Sequence, residues 1–256
     1  MTRDVEESRL VRHALAGRGA LVTGGSSGIG RAIACSFAEH GAEVVAAARG
    51  AQEPAGGVRP LRADLARPGG CADAVARAAQ ELGSLDILVA AAGAMLIDDV
   101  ADASAADWQT MTAVNLTAAT ECVRAALPHL VEVSEGSRGC ADIVVVGSIS
   151  GRRPSPGRAM YAATKAGLRA FTDSLRQELA PTSVRVCLVE PGLTATSLRA
   201  ANPPDKLRRM TARTPELHAV TPLSPWDVAR AVTWLVSQPA GLSVSEMTLL
   251  PTSQGA

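Results

Sequence analysis

A glycine-rich turn follows the first apolar run of the chain, and it narrows the possible folds more than any other feature. Residues 23–30 read Thr-Gly-Gly-Ser-Ser-Gly-Ile-Gly and precede an amphipathic stretch. Glycines at such a turn let a pyrophosphate approach the backbone, where its charge meets the free amides of a helix N-terminus. A strand, this turn and a helix in succession predict a dinucleotide site. The contacts expected here are Gly24, Ser26, Ser27, Gly28, Ile29 and Gly30.

The rest of the chain alternates short apolar runs with longer amphipathic stretches, which is typical of a parallel sheet covered by helices on both faces. We predict an α/β protein, a single-domain doubly wound Rossmann fold with about seven parallel strands. Strands are predicted at 20–23, 43–47, 58–61, 86–90, 143–146, 184–189 and 247–250, and helices at 28–40, 70–82, 107–133, 158–180 and 226–237. Residues 1–14 are predicted to be a charged extension of the domain 15–256, and the proline-rich, weakly periodic stretch 192–223 a mobile substrate lid.

The composition argues against several classes of protein. Basic and acidic residues, 25 of each, balance to zero formal charge, so we expect neither nucleic acid nor an anionic membrane surface as the main partner. No apolar run reaches the roughly 20 residues of a membrane span, and the first residues have no apolar signal-peptide core. The five scattered cysteines and four histidines have neither metal-ligand nor disulfide spacing. We therefore expect no metal and a reducing, cytoplasmic location.

The only tyrosine of the chain stands four residues before one of its two lysines. Tyr161 and Lys165 are thus one helical turn apart, on the same face of a helix. Arginine supplies nearly all other positive charge, so a lysine here suggests a task that arginine cannot perform. A nearby cation lowers the pKa of a phenol, which is about 10 in water, and makes tyrosine usable as an acid or base. Such pairs also occur on solvated helix faces, so this interpretation depends on the rest of the chain.

Four features, in one order and spacing, resemble the short-chain dehydrogenase/reductase family. They are the glycine turn at 23–30, Ser148 thirteen residues before Tyr161, Lys165 four residues after it, and Pro191-Gly192 after the next strand. The resemblance runs from about residue 15 to the C-terminus. The tail at 245–254 is similar to that of the branch with the serine and 3-hydroxy acid dehydrogenases and the clavulanate-forming reductase.

The resemblance implies a role for each matching residue. It makes Tyr161 the general acid of reduction and the base of oxidation, with Lys165 lowering its pKa and binding the nicotinamide ribose. It makes Ser148 the hydrogen-bond donor to the substrate carbonyl, and Asn115 the holder of a water that relays protons through Lys165. Taken singly, Ser148 could equally satisfy backbone groups at a strand end, and Asn115 could stabilise a helix kink. The cofactor contacts implied by the match include Ala92, Gly93, Pro191, Gly192, Thr194 and Thr196.

The cofactor is predicted to be NADP(H). In the family, an acidic residue at the end of the second strand binds the adenine ribose hydroxyls and repels a 2′-phosphate. Ala48 stands at that position, and Arg49, which can pair with a phosphate, follows it. The other interpretation of Arg49 is a solvated arginine. Asp64, followed by Leu65, matches the family's adenine-binding aspartate, although Asp64 could also cap a turn.

The chain departs from the family pattern after the fourth strand. Residues 90–93 read Ala-Ala-Ala-Gly where the family usually has Asn-Asn-Ala-Gly. The missing amides are expected to weaken the hydrogen bonds that hold the sheet together there. We expect a local effect on stability rather than on catalysis.

The substrate is expected to be a small carbonyl compound that contacts Met95, Ser150, Pro156 and Leu198. This mostly apolar set favours an NADPH-dependent ketoreductase acting on a hydrophobic or polycyclic ketone of secondary metabolism. One alternative, suggested by the resemblance of the tail, is an NADP-dependent dehydrogenase of hydroxy acids or short aldehydes. Arg152 and Arg153 are candidate partners for a carboxylate, although a solvated loop explains them equally well. The alternative outside enzymes is a cofactor-binding sensor without turnover.

The resemblance also implies a homo-oligomer, a tetramer more than a dimer, paired through the helices predicted at 107–133 and 158–180. Small or apolar residues beside the catalytic face of the second helix would let another helix approach closely. They are Ala159, Ala162, Ala163, Ala166, Ala170 and Phe171.

Overall fold

A single sheet forms the centre of the protein, in a computed structural model that describes residues 14–50, 56–215 and 219–254. Seven strands run parallel in the order β3-β2-β1-β4-β5-β6-β7. They are β1 Gly19–Thr23, β2 Glu43–Ala48, β3 Arg59–Arg62, β4 Ile87–Ala90, β5 Ala141–Val146, β6 Val184–Pro191 and β7 Glu246–Leu249. This arrangement confirms the predicted doubly wound α/β fold, and each strand end lies within two residues of its prediction.

Helices cover both faces of the sheet because its central strands are apolar on both sides. Every residue of β1, β4 and β5 is buried, so neither face of these strands can be left to water. The helices are α1 Gly28–Glu39, α2 Gly70–Leu82, α3 Ala105–Met111, α4 Ala118–Glu135, α5 Ala159–Glu178, α6 Pro204–Arg213 and α7 Pro225–Val236. One face of the sheet packs against α1 and α7, and the other against α2, α4 and α5.

The strand order changes direction between β1 and β4. β1 pairs with β2 on one side and with β4 on the other, so the connections that follow β1 and β4 leave in opposite directions. In doubly wound sheets, ligands bind in the crevice that this divergence opens at the carboxyl ends of the strands.

The helix predicted at 107–133 is wrong as one continuous α-helix. α3 ends at Met111, a π-helical segment spans Thr112–Thr117, and α4 begins at Ala118. Asn115 lies inside this segment and is fully buried. The wider turn shifts the hydrophobic pattern by only one residue, so the sequence periodicity did not indicate it.

The stretch 192–223 is more regular than its sequence predicted. Its described part contains a 3₁₀ turn, Ser197–Arg199, and the ten-residue helix α6. α6 begins with Pro204 at its first position, where the missing N–H and the restricted φ of proline fit a helix start. Most of its residues are polar, and this weak periodicity concealed the helix. The mobility of this stretch stays a prediction.

Three ion pairs join α6 to the loop after β4. Lys206 and Arg209 both approach Asp98, and Arg213 approaches Asp99. These contacts tie α6 to the loop that carries Asp98 and Asp99.

The described part of the structure bears on three predictions, those of the N-terminal extension, of membrane spans and of metal sites. Residues 1–13, nearly all of the predicted extension, lie outside the described residues. Within the described ranges no helix is both long enough and apolar enough to cross a membrane. The same ranges hold no group of three or more His, Cys, Asp or Glu side chains placed to bind a metal ion.

Candidate active site

The predicted site residues meet at the carboxyl edge of the sheet, although they come from distant parts of the sequence. The glycine turn follows β1, Ala91 follows β4, Ser148 follows β5, and β6 ends at Pro191. They surround a cleft between the glycine turn, the first turn of α5 and the lid. The cleft is lined by Ile29, Met95, Gly147, Ser148, Ile149, Ser150, Arg158, Tyr161, Pro191, Gly192, Leu193, Thr194, Thr196, Leu198, Arg199 and Gln254.

The glycine turn is packed so closely that side chains would not fit. Gly24 has a φ of +70°, and a β-carbon added there would lie 2.8 Å from the α-carbon of Ala92. A β-carbon on Gly30 would lie 2.5 Å from the carbonyl oxygen of Gly24. Ser27, the residue before α1, makes no side-chain cap with the helix amides. The open backbone and the uncapped amides fit the pyrophosphate of a dinucleotide.

Helix α5 carries both members of the predicted pair, Tyr161 and Lys165, and both are buried. Tyr161 and Lys165 are 6% and 5% exposed, and the ammonium nitrogen lies 5.9 Å from the centroid of the phenol ring. Lys165 Nζ donates a hydrogen bond to the carbonyl oxygen of Val146 at 2.8 Å. Because Val146 is the last residue of β5, this bond fixes the ammonium against the end of the strand. Burial lowers the pKa of Lys165 to about 8.

The electrostatic surroundings of Tyr161 differ from the prediction. Burial is the largest effect and raises the pKa of the phenol, which was expected to be lowered. A hydrogen bond from Ser148 and the positive charges of Arg158 and Arg199 oppose this rise. The cations that act on the phenol here are thus two arginines that the sequence argument did not consider. Protonated phenol is the form required of an acid in carbonyl reduction.

Ser148 is oriented by its own backbone. Its hydroxyl oxygen accepts a hydrogen bond from the N–H of Ser150 at 3.1 Å, which caps the 3₁₀ turn Ile149–Gly151. With the oxygen engaged as an acceptor, the hydroxyl proton is available to Tyr161 or to a carbonyl in the cleft. Ser148 therefore accepts a hydrogen bond from the backbone and faces the phenol of Tyr161 at the same time. Its structural interpretation and its catalytic interpretation are compatible.

Asn115 joins three segments around the site. Its Oδ1 accepts a hydrogen bond from the N–H of Ala94 at 2.7 Å, and its Nδ2 donates to the carbonyl of Ala94 at 2.9 Å and to Thr164 Oγ1 at 3.1 Å. Both donor hydrogens of the amide are therefore used within the protein. A water relay, the role that the resemblance implied, would have to use acceptor atoms of Asn115 rather than its amide donors.

Thr23, at the end of β1, makes hydrogen bonds to the backbone of the segment in which the family usually has two asparagines. Thr23 Oγ1 accepts hydrogen bonds from the backbone N–H groups of Ala91 and Ala92 at 3.0 and 3.2 Å, and donates to the carbonyl of Val89 at 3.4 Å. The side chain is buried, at 2% exposure. One hydroxyl thus connects the ends of two neighbouring strands across the crevice.

We expect Thr23→Val to lower the free energy of unfolding by about 2 kcal/mol, because it leaves two partly buried N–H groups without their acceptor. Thr23→Ser is the matched control, since it keeps the hydroxyl and loses one methyl group, which costs about 0.8 kcal/mol. Urea unfolding followed by circular dichroism measures both. Equal losses in the two variants would mean that the hydroxyl contributes nothing to this junction.

The residues predicted to select the cofactor lie beside the glycine turn. The carbonyl of Ala47 accepts a hydrogen bond from the N–H of Gly24 at 2.8 Å, so the end of β2 adjoins the turn. Ala48 ends β2, and the exposed Arg49 follows it. Asp64 is exposed, and its Oδ1 accepts from the N–H of Ala66 at 3.0 Å. Asp64 therefore caps a turn, as its alternative interpretation proposed, and its second oxygen is left for a ligand.

The tail of the chain contributes to the site through a residue that the sequence argument missed. Gln254 Oε1 accepts a hydrogen bond from the N–H of Leu193 at 2.9 Å and lines the cleft. Its contact holds the loop that carries Thr194 and Thr196, two of the predicted cofactor contacts. Only the C-terminal resemblance drew attention to this segment, and it assigned Gln254 no role.

The structure places three of the four predicted substrate contacts at the cleft. Met95, Ser150 and Leu198 line it, whereas Pro156 is exposed on a turn and lies outside its lining. Arg152 pairs with two carboxylates, those of Glu190 and Glu246. It is therefore engaged away from the role of a carboxylate partner for substrate.

The lowered pKa of Lys165 leads to a test of its role. Above about pH 8 the lysine of the free protein is largely neutral, and a bound dinucleotide, negatively charged and able to accept its hydrogen bonds, favours the ammonium. We therefore expect dinucleotide binding near pH 8.5 to take up protons, measured calorimetrically in buffers of different ionisation enthalpy. Lys165→Met should abolish this uptake. Proton release by the native protein would contradict the assignment.

The fold and the site together define a dinucleotide-dependent oxidoreductase. The chain belongs to the short-chain dehydrogenase family, whose sequence profile, described as short chain dehydrogenase, matches residues 18–207. An uncharacterized oxidoreductase of Staphylococcus aureus strain MW2 is 33% identical over 241 residues, which are 91% of this chain and 96% of that protein. The family prediction is thereby confirmed.

Two solved structures are similar over nearly the whole chain. The closed form of a serine dehydrogenase complexed with NADP⁺ has a TM-score of 0.82 and 30% identity, covering 93% of this chain and 96% of that one. A short chain dehydrogenase from Burkholderia cenocepacia in complex with NADP has a TM-score of 0.80 and 32% identity, covering 94% and 99%. The first of them agrees with the predicted resemblance of the tail to the serine dehydrogenase branch.

Proposed function

We propose that this protein is an NADPH-dependent ketoreductase that interconverts a ketone and a secondary alcohol. The observation that carries the proposal is the buried pair of Tyr161 and Ser148 in a cleft at the carboxyl edge of the sheet, with Lys165 one helical turn along α5. The NADP of two similar structures and the place of Arg49 at the end of β2 support the choice of cofactor. When bound, NADPH supplies the hydride.

The residues of the cleft have separate tasks in this proposal. Ser148 donates its hydroxyl proton to the carbonyl oxygen of the substrate and holds it beside Tyr161. Tyr161 donates its proton to that oxygen as the alcohol forms, and takes it back in the reverse direction. Lys165, anchored on Val146, binds the nicotinamide ribose and keeps a positive charge near the phenol.

The substrate is proposed to have an apolar body. Met95 and Leu198 line the cleft, and Met95, Met111 and Tyr161 form one apolar cluster with Met210 of α6. These side chains favour the hydrophobic or polycyclic ketone of secondary metabolism. The second candidate, a dehydrogenase of hydroxy acids or short aldehydes, is favoured by the arginines in the cleft and by the likeness to a serine dehydrogenase.

A panel of carbonyl compounds tests the proposal. Oxidation of NADPH, followed by its absorbance, should require a ketone or aldehyde and should be lost in Tyr161→Phe. The panel contains cyclic and polycyclic ketones, oxo acids and short aldehydes. If NADPH binds tightly but no compound of the panel causes its oxidation, the result would favour a cofactor-binding sensor without turnover.

We further propose a homo-oligomer, a tetramer more than a dimer, and a cytoplasmic location. On α5, four of the alanines named above are exposed at helical spacing and form a small apolar stripe: Ala159, Ala163, Ala166 and Ala170. Ala162, also predicted there, is buried within the subunit. The location rests on five cysteines, all buried, which no disulfide joins in the described ranges.

We expect Ala166→Arg to break the assembly into smaller species without unfolding the subunit, because a charge buried without a partner in an interface is strongly destabilising. Ala76→Arg on the exposed side of α2 is the control and should leave the assembly intact. Sedimentation equilibrium at micromolar concentration measures both. A native protein that sediments as a monomer would contradict the proposal.

A further inference from the structure

The lining of the cleft beside Tyr161 has basic side chains and no acidic ones. Two arginines, Arg158 and Arg199, are among its lining residues, and no aspartate or glutamate is. Arg158 is buried just before α5, where its Nε donates to Met210 Sδ at 3.2 Å. Arg199 ends the 3₁₀ turn Ser197–Arg199, in the stretch predicted to be the lid. Burial raises the pKa of the Tyr161 phenol, and the positive charges of these two arginines oppose that rise.

The backbone of Arg199 is held firmly on the lid. Asn202 Nδ2 donates to the carbonyl of Arg199 at 3.1 Å and to that of Met95 at 2.7 Å, while Asn202 Oδ1 accepts from the N–H of Ile97 at 2.7 Å. Asn202 is 6% exposed. This side chain clamps the 3₁₀ turn to the wall of the cleft, so the position of Arg199 relative to Tyr161 is set by buried hydrogen bonds.

The guanidinium of Arg199, in contrast, has no hydrogen bond or ion pair with any residue that the structure describes. Nearby cations differ from it: Arg152 pairs with Glu190, and Lys165 donates to Val146. Partial burial lowers the pKa of Arg199, because the charge loses water without gaining a counter-ion. A half-buried guanidinium at a cleft is suited to a planar carboxylate, which it can bind with two parallel hydrogen bonds.

We propose that Arg199 binds a carboxylate of the substrate, so that the natural substrate is a ketone carrying an acid group. This inference rests on the proposed ketoreductase function. The carbonyl lies at Tyr161 and Ser148, the carbon chain lies against Met95 and Leu198, and the acid group reaches Arg199. Such a substrate combines the features of the two candidates, the apolar body of the ketone and the acid group of the hydroxy acid.

The reaction on such a substrate balances with bound NADPH as the hydride donor and one proton from solvent. A C–H bond would form at the carbonyl carbon as a C–H bond of the nicotinamide breaks, and an O–H bond would form at the carbonyl oxygen as the C=O π bond and the phenol O–H bond of Tyr161 break. The solvent proton then restores the phenol. The ketone is reduced and NADPH is oxidised to NADP⁺. The carboxylate keeps its charge throughout, so its contact with Arg199 serves binding and orientation.

The test compares acids with their neutral esters. The substrates are acetoacetate with methyl acetoacetate and 4-oxopentanoate with methyl 4-oxopentanoate, each reduced with NADPH. In at least one pair, the native enzyme should have kcat/KM about tenfold or more higher for the acid, the scale of a hydrogen-bonded charge pair. Esters that react as well as the acids in both pairs would overturn the proposal.

Variants in the lid test whether Arg199 causes the preference for the acid over its ester. Arg199→Gln should lower kcat/KM for the acid at least about tenfold more than for its ester, and Arg199→Lys should retain part of the preference. Arg208→Gln, the same change at an exposed arginine of α6, should leave the preference intact. Equal losses for acid and ester, or a loss confined to the KM for NADPH, would mean that Arg199 serves the cofactor or the lid instead.

Binding separates the failure of this inference from the failure of the proposed function. Calorimetry measures binding of 4-oxopentanoate to native protein and to Arg199→Gln, with and without NADP⁺. Native binding that the variant loses supports the carboxylate site even where no carbonyl is reduced. Equal binding, or none by the native protein, overturns it.

Discussion

Tyr161→Phe is expected to lower the turnover of carbonyl reduction at least about a hundredfold, the scale of losing a general acid. The phenyl ring keeps its place in the apolar cluster with Met95, Met111 and Met210, so the fold and NADPH binding should persist. Only the hydroxyl that bonds to Ser148 is removed. Steady-state kinetics with any substrate found by the carbonyl panel, together with NADPH titration by fluorescence, measures both properties. A variant that reduces ketones at near-native rates would refute the assignment of the acid.

Lys165→Arg provides a companion to this variant. The buried ammonium donates a hydrogen bond to the carbonyl of Val146. Guanidinium keeps the charge but is wider and planar, so we expect it not to reproduce the compact donor that the proposed contact with the nicotinamide ribose requires. We expect reduced turnover and weaker NADPH binding together, whereas Tyr161→Phe should affect turnover alone.

NADPH is expected to bind at least about tenfold more tightly than NADH, because a charge-assisted hydrogen bond from Arg49 to the 2′-phosphate contributes roughly 1.5–3 kcal/mol. Arg49 is exposed at the end of β2, and Ala48 before it offers no carboxylate to the ribose hydroxyls. The double variant Ala48→Asp with Arg49→Ala should reverse the preference. Competitive titration of the two cofactors measures both constants.

Two controls make this prediction specific. Arg49→Ala alone should weaken NADPH binding and leave NADH binding nearly unchanged, because only the phosphate contact is lost. Arg124→Ala removes the same charge from α4, far from β2, and should affect neither cofactor. Equal affinity of the native protein for NADPH and NADH would refute the argument from Ala48 and Arg49.

Much of the fold was predictable because its signals are local. The bounds of α2 agree with the prediction at both ends, since a capped amphipathic stretch shows its period within a few turns. The π-helical segment Thr112–Thr117 and α6 were not predicted. The first changes the periodicity too little to be noticed, and the second has too few apolar residues to produce a clear one.

The site was predictable where the family pattern marks its residues. Tyr161, Lys165 and Ser148 were found from the spacing that the family shares. Ser148 and Tyr161 line the cleft, and Lys165 lies one helical turn along α5 beside the phenol ring. Pro156 was expected at the cleft and lies outside its lining, because closeness to Tyr161 in the chain does not determine which way a turn faces. Arg158 was overlooked although it stands three residues before the tyrosine, where a cation close in sequence could have been considered.

The sequence by itself determined the features that depend on neighbouring residues. They are the strand–turn–helix at 23–30, the one-turn spacing of Tyr161 and Lys165, and the apolar strands that require a doubly wound sheet. Tertiary structure alone decided the contacts between distant segments, such as Gln254 against Leu193 and Arg199 across from Tyr161. It also decided that burial raises the pKa of the phenol. The reason is physical. Backbone geometry sets the local periods, whereas burial and electric field depend on every segment that packs around a group, and no single stretch of sequence contains that information.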